Sequence, residues 1–144
     1  MSPVLTSHFA DYASFHRTPG NQACHYLGIP LIVLTLFSFL SAVPLLDAGG
    51  LTLTLAELVL AGVVIYYFSL DAALGAVMLA AFVVFDVVGR RIPLPLALAL
   101  FLLGWAFQFA GHYVWEKKSP AFFRNLTHLL VGPLWIAAKA VGRA

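Results

Sequence analysis

The chain has 144 residues, 62% of them hydrophobic and 10% charged, with mean hydropathy +0.95 and a formal net charge of +2. Soluble domains carry about 25% charged residues, so a water-soluble fold of this length is excluded and lipid is the expected solvent for the middle of the chain. The small net charge, with no basic stripe among aromatics, excludes a nucleic-acid partner, and the single cysteine, Cys24, excludes an internal disulfide or a thiolate metal cluster.

Residues 3–17 predict a short amphipathic helix, because Leu5, Phe9, Tyr12 and Phe15 recur near helical spacing, with Thr6 or Ser7 as its cap. Met1 to Arg17 carries His8, Asp11 and His16 and no apolar run. It does not read as a signal peptide, and the first span is expected to be its own insertion signal. Thr18-Pro19-Gly20-Asn21 is a turn. Asn21 is expected to cap the next helix, whose first turn holds Cys24 and His25, and Gly28 and Pro30 suit a tight passage into the bilayer.

Four apolar spans follow, at 29–46, 53–70, 72–88 and 94–113, the first closed by Asp47-Ala48-Gly49-Gly50. Each is about 17–20 residues, or ~26–30 Å, enough to cross a hydrocarbon core. Asp71 separates the second and third, and a tight hairpin is favoured over one long tilted helix that would bury that carboxylate. Residues 120–143 mix apolar side chains with Arg124, His128, Lys139 and Arg143, and read as interfacial helices interrupted by Gly132-Pro133. The expected fold is an all-α integral membrane bundle of about four transmembrane helices with interfacial N- and C-terminal helices. It forms one domain over 1–144: an interfacial segment at 1–28, spans within 29–113 and a tail at 114–144.

Lysine and arginine concentrate at the two ends, which places both termini in the cytoplasm. Arg90-Arg91 conflicts with that topology, and pairing of Asp86 with Arg90 one turn away is expected to offset part of the conflict. An even number of spans then brings the two histidine-bearing ends to one membrane face.

Imidazole is the commonest metal ligand and the usual acid–base group near neutral pH. His16 and His25 lie nine apart across a Pro-Gly turn that could fold them together. His112 and Glu116 stand one helical turn apart, so Glu116 could share a metal with His112 or hold its imidazole in one tautomer. Gly111 permits close approach of another backbone, and Gln108 is a candidate donor to the ligand shell. His128 is a possible fourth ligand, and His8 reads as solvated. Asp71 and Asp86 read as interfacial carboxylates and the tyrosines and tryptophans mostly as membrane belt. Three or four imidazoles suit iron, zinc or copper rather than calcium or magnesium. Five histidines without HxxxH or HxxHH clusters argue against two irons.

The order of His16, then Asn21-Gln22-Ala23-Cys24-His25-Tyr26-Leu27-Gly28-Ile29-Pro30, an apolar body, and Gly111-His112-Tyr113-Val114-Trp115-Glu116-Lys117-Lys118-Ser119-Pro120-Ala121 resembles the fungal-type 2-hydroxy fatty acid dioxygenases of α-oxidation. That family was formerly catalogued as a small membrane domain of unknown function. The resemblance implies an Fe(2+)-dependent oxygenase that shortens a long-chain 2-hydroxy fatty acid by its carboxyl carbon, using dioxygen. His16, His25 and His112 become the candidate iron ligands, with His128 a less secure match. Asn21, Gln108 and Glu116 support them, and Arg17 and Lys117 (with Lys118 beside it) are candidates for attracting the substrate carboxylate. The implied membrane is the inner membrane in a bacterium and the endoplasmic reticulum in a eukaryote. Two other readings stay open: a non-enzymatic lipid-binding or scaffold protein, and a zinc-dependent membrane hydrolase with Glu116 as general base.

Overall fold

A computed structural model describes residues 1–123 and 125–144; Arg124 lies outside the described residues. Helix α1 spans Pro3–Ser14 and α2 Pro19–Ser41. Strands β1 (Pro44–Ala48) and β2 (Leu51–Thr54) form a hairpin, followed by α3 (Leu55–Leu70), α4 (Ala72–Gly89) and α5 (Leu94–Ala110). Helix α5 runs on as a π-helical segment, Gly111–Glu116, and a short 3-10 turn at Ala121–Phe123 leads to α6 (His128–Ala140).

The bundle is helical, as the composition demands, and α2, α4 and α5 with its π-helical extension are long and apolar enough to cross a membrane. The remaining span, α3, has 16 residues and falls short of that length. Its missing turn went into an antiparallel hairpin: the expected closure at 47–50 is the β1–β2 turn, with Gly49 and Gly50 at φ 61° and 97°. Such angles cost a side-chain-bearing residue but not glycine.

Local chemistry moves three boundaries. Ser2, not Thr6 or Ser7, caps α1, its hydroxyl accepting from the Leu5 N–H at 3.2 Å. Thr18, not Asn21, caps α2, and Pro19 takes the first helical position, where its missing N–H costs nothing. The first membrane-crossing helix therefore begins about ten residues before the expected 29, and His25 rides on it. Helix α6 continues through Gly132-Pro133 rather than breaking there. The Leu130 carbonyl beside that proline receives the Tyr67 hydroxyl at 2.6 Å. The buried face of α6, Val131, Leu134, Trp135 and Ala138, joins one cluster with Leu5, Phe9 and Tyr12 of α1 and with Leu74, Met78 and Phe82 of α4. The tail is packed into the bundle along this face.

Helices α2 and α5 are antiparallel and meet at Gly28 and Gly104. A Cβ on Gly28 would sit 2.7 Å from the Gly104 carbonyl, and one on Gly104 3.0 Å from the Gly28 carbonyl. Small residues of this kind let helices approach closely in lipid.

The two ends of the bundle are chemically distinct. At one, the Arg90 guanidinium pairs with Asp86 at 2.9 Å and also with Glu57, while the Ser41 hydroxyl donates to Asp86 at 3.1 Å. The expected Asp86 pairing is present, and the second carboxylate further neutralises Arg90 where positive charge was unexpected. At the other end, Asp71 caps α4 through the Leu74 N–H (3.0 Å), and binds the Met1 ammonium (3.1 Å) and Arg143 (2.8 Å). The α3–α4 connection is thus the tight hairpin expected, and its carboxylate ties both chain ends together.

The Leu74 N–H and these cations hold the Asp71 carboxyl down at about 2. A folded-state value below the ordinary carboxylate range means a contribution complete above that range and lost as pH falls towards 2. Asp71→Ala is expected to cost about 1 kcal/mol as a lost cap, plus the ion pairs. In thermal melts the gap from wild type should be flat above about pH 5 and close as the solution is acidified.

Candidate metal centre

His16 follows the last turn of α1, His25 sits in the second turn of α2, and His112 opens the π-helical extension of α5. Their exposures are 3%, 2% and 2%. One ligand nitrogen from each lies within 4.8 Å of the other two, and the rings meet edge to face with centroids 4.4, 4.9 and 4.8 Å apart. Single-turn π segments recur at functional sites; here the wider winding carries His112 beside α2.

Hydrogen bonds to the backbone decide which nitrogens are free. His16 Nδ1–H donates to the Tyr12 carbonyl at 2.6 Å, and His25 Nδ1–H donates to the Asn21 carbonyl at 2.9 Å. Both neutral imidazoles then present a bare Nε2, and these two atoms face each other at 3.1 Å. Two lone pairs so placed repel unless a cation or proton lies between them. Burial lowers the His16 pKa to about 4, so that ring is unprotonated at neutral pH. Metal–nitrogen bonds of about 2.1 Å at right angles put neighbouring ligands ~3 Å apart, which is the separation His16 and His25 display. The donor set therefore fits a first-row transition ion, since imidazole suits zinc, copper, iron and nickel.

Tyr12, which no sequence signal singled out as functional, stacks on His16 with centroids 3.9 Å apart and interplanar angle 12°. Its four-residue spacing from His16 was the available clue. It also faces His128 across 5.6 Å.

His128 lines the same cleft but is not among the three gathered imidazoles. Its Nε2–H donates to Asp11 at 2.7 Å, and its Nδ1 is buried without a partner among the described residues. Asp11 was likewise not anticipated. His8 is half-buried on α1.

Glu116 corrects the reading of it as a metal-sharing or imidazole-holding carboxylate. Its oxygens accept from the Arg17 and Thr18 N–H groups (3.2 and 3.1 Å), the Thr18 hydroxyl (2.9 Å) and Asn21 Nδ2 (3.2 Å). It sits at the N-terminus of α2, where the helix dipole favours an anion. It pins the loop bearing His16 to the end of α5, and this occupation leaves it poorly placed as a hydrolase base. Asn21 bridges as well, donating to the Phe15 carbonyl at 3.1 Å.

Gly111 is required for the junction, because a Cβ there would stand 2.5 Å from Asn21 Oδ1 and 3.0 Å from Cys24 Cβ. Gly111→Ala is expected to push α5 off α2, cost about 1–3 kcal/mol through overpacking, and lower bound metal. Thermal melting and metal analysis of the same preparation check both.

Gln108 is buried one turn before His112 and its Nε2 has no partner among the described residues. Arg17 and Lys117 are exposed, and neither lines the cleft. Lys117 instead ends the π segment in a left-handed conformation, φ 54°, its N–H on the His112 carbonyl. The cleft below the histidines encloses about 180 Å³.

The family described as 2-hydroxy-palmitic acid dioxygenase Mpo1-like matches residues 3–144. The 2-hydroxy-palmitic acid dioxygenase MPO1 of Saccharomyces cerevisiae is 32% identical over 129 residues, which cover 88% of this chain and 73% of the yeast protein. No solved structure matches.

Proposed function

The chain belongs to the Mpo1-like family, and from that membership we propose that it is an iron(II)-dependent membrane dioxygenase. It converts a long-chain 2-hydroxy fatty acid to the acid one carbon shorter. The reaction balances with dioxygen alone: one 2-hydroxy acid and one O₂ give the shortened acid, carbon dioxide and water. The bond between C1 and C2 breaks, and the substrate supplies all the electrons.

The observation that carries this reading is the meeting of the His16 and His25 Nε2 atoms at 3.1 Å, with both Nδ1 protons committed to carbonyls and His112 beside them. His16, His25 and His112 would hold the iron. Iron(II) held there would supply the activation of dioxygen and an attraction for the substrate's carboxylate and hydroxyl. Three neutral imidazoles leave the ion's charge unbalanced, so an anionic head group is favoured over a neutral one. The Gln108 amide, without a partner among the described residues, would donate to a substrate oxygen. Tyr12 and the Asn21 carbonyl fix the ring orientations, as outer-shell partners do in metal sites. Glu116 keeps the His16 loop closed over the site. The charges of Lys117, Lys118 and Arg17 support a cytoplasmic placement of this face and would draw acids to the surface.

Purified protein stripped with a chelator under nitrogen is expected to lose turnover of 2-hydroxypalmitate with O₂. Iron(II), but not zinc, is expected to restore it. Undiminished turnover after complete iron removal would refute the reading.

A further inference from the structure

The cleft descends from the histidines along α2 and α5, the two antiparallel helices that carry His25 and His112, and Phe122 of the 3-10 turn with Leu129 and Pro133 of α6 also line it. On α2 its wall is Ile29, Ile32, Val33 and Leu36, below His25 at intervals of one, two and three turns; on α5 it is Phe101 and Trp105, below His112. Among the described residues that line it there is no lysine, arginine, aspartate or glutamate. At its far end Phe101 meets Phe39 edge to face, centroids 5.6 Å apart. Leu36 lies eleven residues beyond His25, and Phe101 eleven before His112. Both helices therefore set the same depth, about 16 Å at a rise of ~1.5 Å per residue.

We propose that this cleft holds the acyl tail of the 2-hydroxy acid, carboxyl end at His16, His25 and His112, and that Leu36 with the Phe101–Phe39 pair forms a floor that sets chain length. The inference rests on the proposed function for the identity of the head group. Carbon–carbon bonds of about 1.5 Å zigzag to ~1.25 Å per carbon in an extended chain. The depth thus takes about thirteen carbons beyond C1 and C2, a total near fifteen. The occupant is a free hydroxy acid's tail rather than a bilayer lipid's, because the apolar wall leads without interruption to the imidazole cluster, where an acid's oxygens find a cation.

The test is a binding ladder. Iron-loaded protein in nanodiscs is titrated under nitrogen with 2-hydroxy acids of eight to twenty carbons. Affinity is expected to rise about fourfold per methylene, then level off near fifteen carbons. Val33→Phe, one turn above the floor, is expected to move the break about four carbons shorter, by the same rise per carbon. Phe101→Ala is expected to move it longer. A rise with no break, a break that neither variant moves, or displacement of bound acid by added phosphatidylcholine would overturn the proposal. Turnover separates the two readings. A ladder that breaks and shifts in protein inert towards every hydroxy acid would sink the oxygenase and leave the cleft assignment standing. Turnover with an unmoved break would do the reverse.

Discussion

His25→Ala protein is expected to retain less than about a tenth of the wild-type iron and to turn over 2-hydroxypalmitate at least ~100-fold more slowly, since loss of even an outer-shell partner costs 10–100-fold in affinity or activity. The ring is held on both sides, Nδ1–H on the Asn21 carbonyl and Nε2 facing His16. Alanine removes the nitrogen and leaves the neighbouring imidazole facing a void. The stability readout is sharper. In metal-free protein two bare nitrogens oppose each other, so removing one relieves a repulsion even as it opens a small cavity. The metal-free variant is therefore expected to melt close to metal-free wild type, whereas iron should raise only the wild-type melting temperature, because a ligand stabilises the state that binds it. Iron content by elemental analysis and paired melts with and without iron decide the matter. Equal stabilisation of both proteins by iron would place the ion elsewhere.

Glu116→Ala has the second largest expected effect, and it separates a positioning carboxylate from a catalytic one. Four donor groups, from Arg17, Thr18 and Asn21, converge on this side chain. Its removal strands the N–H groups of Arg17 and Thr18 and the Asn21 amide at the start of α2. Hydrogen bonds to a charged group contribute about 1.5–3 kcal/mol each in favourable settings; the carboxylate is only half-buried, so a total near 2–3 kcal/mol is expected rather than the sum. The loop it releases carries His16, so iron affinity is expected to fall 10–100-fold. Glu116→Gln keeps one carbonyl oxygen for the same donors and is expected to retain turnover within ~10-fold once saturated with iron. Were Glu116 a general base, the glutamine variant would bind metal normally and be inactive. Metal titration alongside turnover at saturating iron reads both outcomes.

How far the site was legible varies residue by residue. Gly111 announced a close approach, and the structure supplies the neighbours, Asn21 and Cys24. His112 and Glu116 share a helical turn, yet that adjacency misdirected the reading of Glu116. Its partners lie about 95–99 positions earlier in the chain, and spacing within one helix is silent about them. Arg17 and Lys117 had the charge to attract a carboxylate but are exposed and are not among the residues that line the cleft. The Asp11–His128 pair joins residues 117 positions apart and gave no local sign.

The amino-acid sequence alone determined the solvent and the class of fold, because apolar content, span length and the cost of unpaired backbone in lipid leave few choices but helices. It also determined which side chains could bind a metal, since the chain has only five histidines and one cysteine. Which three imidazoles meet, which nitrogen His16 and His25 offer, and that Glu116 braces a loop were decided by the tertiary structure. Those outcomes depend on how α1, α2 and α5 dock, and on glycine contacts and carbonyl positions that only the packed bundle brings within hydrogen-bonding reach.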